Sequence, residues 1–412
     1  SVWTLAAMAA LSVLTASTAT LAAEPKQGGI LRMYHRDSPG NASIHEGATY
    51  SLNVPFMPIF NNLVIYKQDV AQNSMDSIVP ELAESWSWVN DNKTLTFKLR
   101  QGVKWHDGKP LSADDVVFTW EYASAPATAA VSIETYSGLT VEKIDDLTIR
   151  INFKKPTPFW ANAFVGGYGS IIPKHLFADY KGGKSREAPN NLKPVGTGPY
   201  KFVEFKPGDL IRGELNPDYH MANRPFFDTI EMKGGGDAVS AARAVIQTGE
   251  YDFAWNIQVE DEVLQRLEKG GKGKALFAVG GDIEFIAINF TDPNTEIDGE
   301  RSSIKTKHPI LSDPKVRQAL ALLVDRDSVK KAIYGRAGRT TANYLNGPEE
   351  FVSKNTKWEF SIEKAAALLD EAGWKVGSDG IREKDGKKFK LLYQTSINGP
   401  RQKTQAIVKQ AC

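Results

Sequence analysis

Two short segments that alternate polar and apolar residues, with a capped helix between them, most constrain the fold of this chain. Residues 94–99 and 148–153 have the period of two that is typical of half-buried β-strands. Ser112 and Asp115 form a capping-box pattern between them. The apolar positions of the helix that follows share one face, at Ala113, Val116, Val117 and Trp120. This mixture predicts an α/β protein with mixed sheets.

The same mixture continues through the middle of the chain. Residues 238–247 have a helical pattern after Gly234–Gly236, and they are followed by Gly249 and a strand-like segment at 251–255, which predicts a β-α-β unit. Residues 283–290 are almost continuously apolar, so we expect them to form a central strand that is buried on both faces.

The last third of the sequence also combines helix and strand patterns. Asp313 before Pro314 and Ser361 before an apolar stripe predict two helix N-termini. Residues 390–394 predict a strand, and residues 401–410 predict a helix. No repeat of 20 to 50 residues occurs, which argues against a solenoid or a propeller.

The first 23 residues are typical of a secretory signal peptide. An apolar run at 1–14 is followed by small residues, and the run is shorter than the roughly 20 residues that span a membrane. Because a start Met and a basic leading segment are missing, we expect residues 1–23 to be an N-terminally clipped signal peptide. The alternative is a buried N-terminal helix, which Pro25 disfavours. The prediction is a periplasmic protein without a lipid-anchored cysteine.

The charge and the cysteine content exclude several kinds of partner. Fifty Lys and Arg residues balance 49 Asp and Glu residues, so no broad field favours nucleic acid or an anionic membrane. Cys412 is the single cysteine, and no two of the six histidines have the i, i+4 spacing of a helical metal site. We therefore expect no disulfide, no protein-built metal site and no cofactor.

Catalytic motifs are also missing. Gly183-Lys184-Ser185 has Ala178 in place of the first glycine of a P-loop, and no G-x-S-x-G elbow occurs. The adjacent Asp114 and Asp115 are explained by capping and by the helix dipole. Because sequence spacing does not reveal a carboxylate pair across a cleft, a hydrolase stays open as an alternative. No catalytic residue is predicted.

Several motifs, taken in order, resemble one protein family. VPELAESW at 79–86 and LTFKLRQGVKWHDGKPLSADDVVF at 95–118 are similar to the most recognisable signature of the extracellular solute-binding proteins of ABC transporters, family 5. This family includes dipeptide, oligopeptide and nickel binders. Further matching motifs follow at 196–200, 216–219, 249–252, 316–320, 325–326 and 366–373.

The resemblance implies a periplasmic-binding-protein-like fold of two lobes joined by a hinge, with an extra inserted domain. It places lobe I at 24–54 and 185–281, the inserted domain at 55–184 and lobe II at 282–412. Chains of the family continue further, so we expect lobe II to be incomplete here. The aspartate with which peptide-binding relatives capture the ligand's amino group would lie beyond Cys412.

The resemblance also suggests where a ligand would bind. Ends of strands offer backbone groups to an extended peptide, and aromatic faces cover varied side chains. The candidate ligand contacts are Glu46, Gly47, Ala48, Thr49, Tyr136, Trp255, Asn256, Phe285, Asn289 and Phe290. Ordinary core packing is the alternative for Trp255 and Phe285, and a solvated loop charge is the alternative for Glu46.

One further motif, Trp105-His106-Asp107, has the residue types of a catalytic site. Its position in a polar turn after a strand, within the family signature, favours a structural role.

The function implied is that of a periplasmic solute-binding component of an ABC importer. It would act without catalysis, as a monomer, capturing a peptide or a similar small ligand for the permease subunits in the membrane. Two alternatives stay open. One is a secreted glycosidase or peptidase that uses cleft carboxylates, and the other is a binder of the same fold for an oligosaccharide, an opine-like conjugate or a metal chelate.

Overall fold

The computed structural model describes residues 25–412 except residues 36, 37, 48, 71, 90, 91, 223 and 279. The predicted signal peptide, residues 1–23, lies outside the described residues. Within them, every helix is too short or too polar to cross a membrane.

The strands are spread over the whole described chain. They are β1 Ile30–His35, β2 Val64–Tyr66, β3 Ile78–Pro80, β4 Ala83–Val89, β5 Thr94–Leu99, β6 Leu139–Asp145, β7 Thr148–Phe153, β8 Tyr200–Lys206, β9 Leu210–Leu215, β10 Thr229–Lys233, β11 Phe253–Trp255, β12 Glu296–Ile297, β13 Glu300–Arg301, β14 Lys375–Val376, β15 Arg382–Lys384 and β16 Lys387–Lys388.

The α-helices alternate with these strands. They are α1 Tyr50–Phe56, α2 Ala113–Ser124, α3 Ile133–Ser137, α4 Lys174–Phe177, α5 Ala238–Ala242, α6 Asp261–Glu268, α7 Pro314–Leu322, α8 Arg326–Val329, α9 Ile362–Glu371 and α10 Gly399–Ala411. Helices α5 and α8 continue as wider π-type turns over Arg243–Gln247 and Lys330–Tyr334. Short 3₁₀ turns lie at Met75–Ser77, Pro126–Thr128, Trp160–Ala163, Gly167–Gly169, Ala178–Tyr180, Gly182–Glu187, Pro189–Asn191, Gly335–Ala337 and Glu349–Phe351.

A five-stranded sheet brings the start of the described chain next to residues 200–255. Its strand order is β11-β1-β10-β9-β8. Strand β1 is parallel to β10, with Tyr34 opposite Lys233, and parallel to β11, with His35 opposite Trp255. The remaining pairs of this sheet are antiparallel. The carboxyl ends of β10, β1 and β11 therefore meet at one edge.

The predicted β-α-β unit is confirmed, and it forms part of this sheet. The Asp237 side chain caps α5 by accepting from the Ser240 N–H at 2.9 Å. Gly249 has φ +67°, a left-handed conformation that allows the chain to turn after the helix. The chain then enters β11, which lies on the far side of β1 from β10.

A four-stranded antiparallel sheet, in the order β4-β5-β7-β6, contains both of the alternating segments that the sequence predicted as strands. The helix predicted between them is α2, and Ser112 and Asp115 form the predicted capping box. Phe97 of β5 is fully buried in the core of this sheet.

A second hydrophobic core connects the two sheets. Phe118 and Tyr122 of α2 belong to it together with Phe56 of α1, Ile211 of β9 and Met232 of β10. Helix α2 therefore contributes side chains to both cores, and it fixes the four-stranded sheet against the five-stranded one.

The region from 310 onward has a smaller core of its own. It is built from α7, α9 and Trp374, whose ring meets Phe389 edge-on with centroids 5.0 Å apart. The predicted N-caps are confirmed, because Asp313 accepts from the Lys315 N–H and Ser361 accepts from the Lys364 N–H. The helix predicted at 401–410 is also confirmed, as α10.

Two strand predictions are wrong for this structure. Residues 283–290 and 390–394 have no assigned strand, and the Phe285 side chain is 66% exposed rather than buried on both faces. Among the described residues, neither segment is part of a sheet. An apolar run shows that burial is favoured, but a strand also requires a hydrogen-bonded neighbour, which the run itself does not provide.

Candidate functional site

Aromatic rings gather at the edge where the parallel strands end. His35 is the last residue of β1 and Trp255 is the last residue of β11, and their rings stack with centroids 6.1 Å apart and an interplanar angle of 12°. In open α/β sheets, ligands bind outside the carboxyl ends of the strands. The candidate site is therefore the carboxyl edge, the edge of the five-stranded sheet at which β10, β1 and β11 end.

Tyr50, which the sequence analysis did not select, completes the cluster. It is the first residue of α1, its side chain is 63% exposed, and its ring meets Trp255 edge-on at 5.5 Å. Thr49 precedes it, and the Thr49 carbonyl accepts the first helical N–H groups, from Leu52 and Asn53. Tyr50 therefore joins two predicted patches, the 46–49 loop and the strand end at 255–256. Its position directly after the 46–49 loop was the available signal.

Asn256 ends β11 by turning the chain. Its φ of +57° is left-handed, a conformation that asparagine tolerates better than most residues. Because the chain bends here, Trp255 is the last residue of the strand and stays half-buried at its end. Asn256 accordingly shapes the edge of the site.

Glu46 is buried rather than solvated. The Tyr122 hydroxyl donates to Glu46 Oε1 at 2.6 Å. The preceding residue, His45, donates from Nε2 to the Ser170 carbonyl at 2.8 Å, and burial lowers the pKa of His45 below its ordinary value. Glu46 therefore holds the loop in place and does not face the edge as a free carboxylate.

Gly47 and Ala48 complete this loop. A Cβ added at Gly47 would lie 2.4 Å from Leu52 Cδ1, so the loop approaches α1 too closely for another residue without movement. Ala48 lies outside the described residues.

Tyr136 is part of the interior of the region that contains the four-stranded sheet. Its side chain is 3% exposed, and its hydroxyl lies 2.9 Å from the Ala163 carbonyl and 2.8 Å from the Tyr168 carbonyl. Burial raises the pKa of Tyr136 above its ordinary value, so the hydroxyl stays protonated. These contacts occupy the polar group that a ligand would need.

The third predicted patch lies on exposed chain. The ring of Phe285 is 6.5 Å from that of Tyr344, and the guanidinium of Arg317 lies 5.1 Å from the ring of Phe290. Asn289 donates to Ser302 Oγ at 3.3 Å. In the part of the chain that the structure describes, no ring contact connects this patch to Trp255 or Tyr50.

The Trp105-His106-Asp107 motif has structural contacts. His106 Nε2 donates to the Gly198 carbonyl at 3.0 Å, and its Nδ1 accepts from the Gly196 N–H at 3.2 Å. Burial lowers the pKa of His106 to about 4, so the ring is neutral at neutral pH. Since both ring nitrogens bond to the 196–198 backbone, the geometry supports the structural interpretation over a catalytic one.

A buried polar network, also missed by sequence reasoning, is centred on Glu81 of the VPELAESW motif. Glu81 accepts from Asn61 Nδ2 and from the Asn62 N–H, each at 2.7 Å. Thr197 donates to Asn61 Oδ1 at 3.0 Å. Burial raises the pKa of Glu81 to about 7. The network connects three chain segments that are distant in sequence.

The described residues contain no group of three or more His, Cys, Asp or Glu side chains that could hold a metal ion. The chemistry that the carboxyl edge offers is aromatic surface together with the backbone groups at the ends of the strands.

Comparisons with known proteins identify the family. The model of the bacterial extracellular solute-binding proteins, family 5 Middle, matches residues 77–411. The oligopeptide-binding protein AppA of Bacillus subtilis is 32% identical in an alignment of 402 residues that covers 94% of this chain and 68% of AppA. The dipeptide-binding protein of Escherichia coli is 30% identical in an alignment of 353 residues that covers 80% of this chain and 60% of that protein.

Solved structures agree with these matches. AppA in complex with a nonapeptide superposes with a TM-score of 0.72 at 28% identity, covering 94% of this chain and 73% of AppA. NikZ of Campylobacter jejuni in complex with Ni(L-His) gives a TM-score of 0.67 at 25% identity, covering 87% of this chain and 66% of NikZ. The predicted fold class, the α/β periplasmic-binding-protein-like fold, is therefore confirmed. The chain belongs to the bacterial extracellular solute-binding proteins of family 5.

Proposed function

We propose that this protein is the periplasmic solute-binding component of an ABC importer and that it captures a peptide for delivery to the permease subunits. The observation that carries the proposal is the aromatic cluster at the carboxyl edge, in which Trp255 contacts both His35 and Tyr50. Family membership and the similarity to AppA and to the dipeptide-binding protein support a peptide as the ligand.

The chemistry of this edge suits peptides of varied sequence. Aromatic faces contact side chains of many kinds without demanding a particular hydrogen bond. The backbone groups at the ends of β1 and β11 are suited to pairing with an extended main chain, which is common to all peptides. Specificity for the main chain with tolerance of side chains is what a nutrient importer requires.

The domain division is part of the proposal. The five-stranded sheet, which combines residues 30–35 with residues 200–255, supports a lobe I formed by 24–54 and 185–281. The four-stranded sheet at 83–153 supports an inserted domain at 55–184. Residues 282–412, with the core around α7 and α9, would belong to lobe II and close on the ligand by a hinge.

Phe285, Asn289 and Phe290 would face the ligand from this second lobe. Their exposure fits a surface that meets a ligand on closure. In the proposal, the protein acts as a monomer and without catalysis, and residues 1–23 direct it to the periplasm.

The test is thermal unfolding of the full chain with a panel of di- to nonapeptides that includes trialanine and Ser-Thr-Ser-Ala, followed by mass analysis of each peptide that raises the midpoint. A ligand present at 100 times its dissociation constant adds about 2.7 kcal/mol to the stability of the native state. Glycans, opines and nickel chelates form a second panel, which tests the other ligand classes.

Trp255→Ala is the variant that locates the site, and Phe159→Ala is its control, because Phe159 is also an exposed aromatic, at 65%, but lies outside the carboxyl edge. We expect an intact peptide to raise the midpoint of the parent and of Phe159→Ala, and to have little effect on Trp255→Ala. Failure of every peptide, or consumption of the peptide that binds, would reject the proposal.

A further inference from the structure

In the loop that leads to Tyr50, the described residues 43–47 and 49 have no strand or helix of their own, so the position of the loop depends on contacts from elsewhere. The region that follows α1 supplies them: the Tyr122 hydroxyl bonds Glu46, the Ser170 carbonyl bonds His45, and the Val131 N–H donates to the His45 carbonyl at 2.9 Å. Residues far away in sequence thus determine where this loop lies.

Of these contacts, the one between Tyr122 and Glu46 satisfies a buried acidic side chain. Glu46 is 7% exposed, and a buried carboxylate is costly unless a donor satisfies it. The 2.6 Å separation is at the short end of the range for a hydrogen bond between two oxygens. Tyr122 itself is 1% exposed on α2, within the core that α2 shares with the five-stranded sheet, so its hydroxyl is a fixed point.

The position of Glu46 affects that of Tyr50 through contacts of the residues between them. Gly47 packs directly against Leu52, and the Thr49 carbonyl accepts the first N–H groups of α1. Tyr50, the first residue of that helix, meets Trp255 at 5.5 Å. A loop that moves at Glu46 therefore moves the start of α1 and the ring that contacts Trp255.

We infer that Tyr122 is a positioning residue for ligand binding: its hydroxyl fixes Glu46 and thereby holds Tyr50 against Trp255. The inference rests on the proposed function, since the placement of Tyr50 matters for a peptide only if the peptide binds at this edge. The region around the four-stranded sheet would then shape the site without lining it.

Tyr122→Phe removes the hydroxyl and keeps the ring. The matched control is Tyr200→Phe, because Tyr200 is 7% exposed and its hydroxyl donates to a backbone carbonyl, that of Phe227, at 3.2 Å. Titration calorimetry of the full chain with trialanine and with Ser-Thr-Ser-Ala measures affinity. Amide hydrogen exchange of residues 46–56 without ligand measures the position of the loop directly.

We expect Tyr122→Phe to bind the peptide that the parent binds about tenfold more weakly, and to exchange faster at 46–56. Tyr200→Phe should match the parent in both measurements. In a double-mutant cycle, Glu46→Met combined with Tyr122→Phe should lose no more affinity than the worse single variant, because each removes one partner of the same bond and methionine has no oxygen to accept from Tyr122.

Equal affinities for Tyr122→Phe and Tyr200→Phe would overturn the inference, and so would unchanged exchange at 46–56 or independent effects in the cycle. Failure of the proposed function looks different. In that case no peptide of the di- to nonapeptide panel binds the parent, whereas faster exchange at 46–56 in Tyr122→Phe would still show that Tyr122 fixes the loop.

Discussion

The parts of the molecule before and after residue 276 have similar sequence patterns, but they differ in strand length and in the burial of their apolar side chains. Before residue 276, each of two sheets packs one face of apolar strand residues, such as Phe97 and Ile211, into cores that share α2. After it, the strands are two or three residues long, and several large apolar side chains are mostly exposed. The most exposed of them are Tyr344 at 81%, Leu392 at 84%, Ile304 at 93% and Ile397 at 98%.

The difference shows which sequence patterns are enough to predict an element and which also depend on a neighbouring element. Helices α2, α7 and α9 begin at the predicted caps in both regions, because a helix closes its hydrogen bonds within its own segment. Strands were predicted correctly at 94–99 and 148–153, where each has a neighbour, and wrongly at 283–290, where the described chain offers none. Apolar sequence is therefore necessary for a buried strand but insufficient.

The largest expected effect contrasts two phenylalanines. Phe97 is fully buried against Phe164, with ring centroids 5.3 Å apart, and Phe97→Ala should lower the free energy of unfolding by about 3–5 kcal/mol. Phe285 is 66% exposed, so Phe285→Ala should change it by less than about 0.5 kcal/mol. Denaturant unfolding of both variants measures the contrast, and comparable losses would mean that residues 283–290 are packed in solution.

A smaller effect concerns pH and the buried network of the first region. Burial raises the pKa of Glu81 from 4.5 to about 7, so between these pH values the native state holds a proton that the unfolded state has lost. Stability from this group therefore falls as pH rises from 4.5 to 7, by about 3 kcal/mol in total. Glu81→Gln removes the titration, and its stability relative to the parent should rise by that amount across the window.

Glu371→Gln is the control from the second region. The Glu371 side chain is 59% exposed beside Lys315, so Glu371→Gln removes a carboxylate without touching the buried network. The burial of His106, which lowers its pKa to about 4, acts with the opposite sign, since that contribution is lost as pH falls from 6.5 to 4. It is common to the parent and both variants and cancels in the comparison. If the stabilities of Glu81→Gln and of the parent differ by a constant amount between pH 4.5 and 7, the predicted titration of Glu81 is refuted.

The smallest expected effects concern helix caps, and they should be equal before and after residue 276. Ser112 caps α2 by accepting from the Asp114 N–H at 3.3 Å, and Ser361 caps α9 by accepting from the Lys364 N–H at 3.2 Å. Replacing either serine with alanine should cost about 1 kcal/mol, because a cap is a local interaction. Thermal unfolding tests this, and a loss several times larger at one cap would show that the two regions differ in their helices as well.

Part of the site could be predicted from the sequence, and part of it depends on contacts between residues that are distant in sequence. Trp255 and the 46–49 loop were selected from a family resemblance, and the structure places them next to each other through Tyr50. The bond from Tyr122 to Glu46 spans 76 residues and that from Thr197 to Asn61 spans 136. No periodicity or spacing in a single sequence identifies such pairs, because they arise only when separate elements pack together.

Binding of a peptide at the carboxyl edge is tested most directly by amide hydrogen exchange of the full chain with and without a peptide that binds it. We expect slower exchange at 46–57 and at 253–257, around Tyr50 and Trp255, with no change in β5 or β7 of the four-stranded sheet. A peptide that binds while both segments exchange at their free rates would contradict binding at this edge and place the site elsewhere on the molecule.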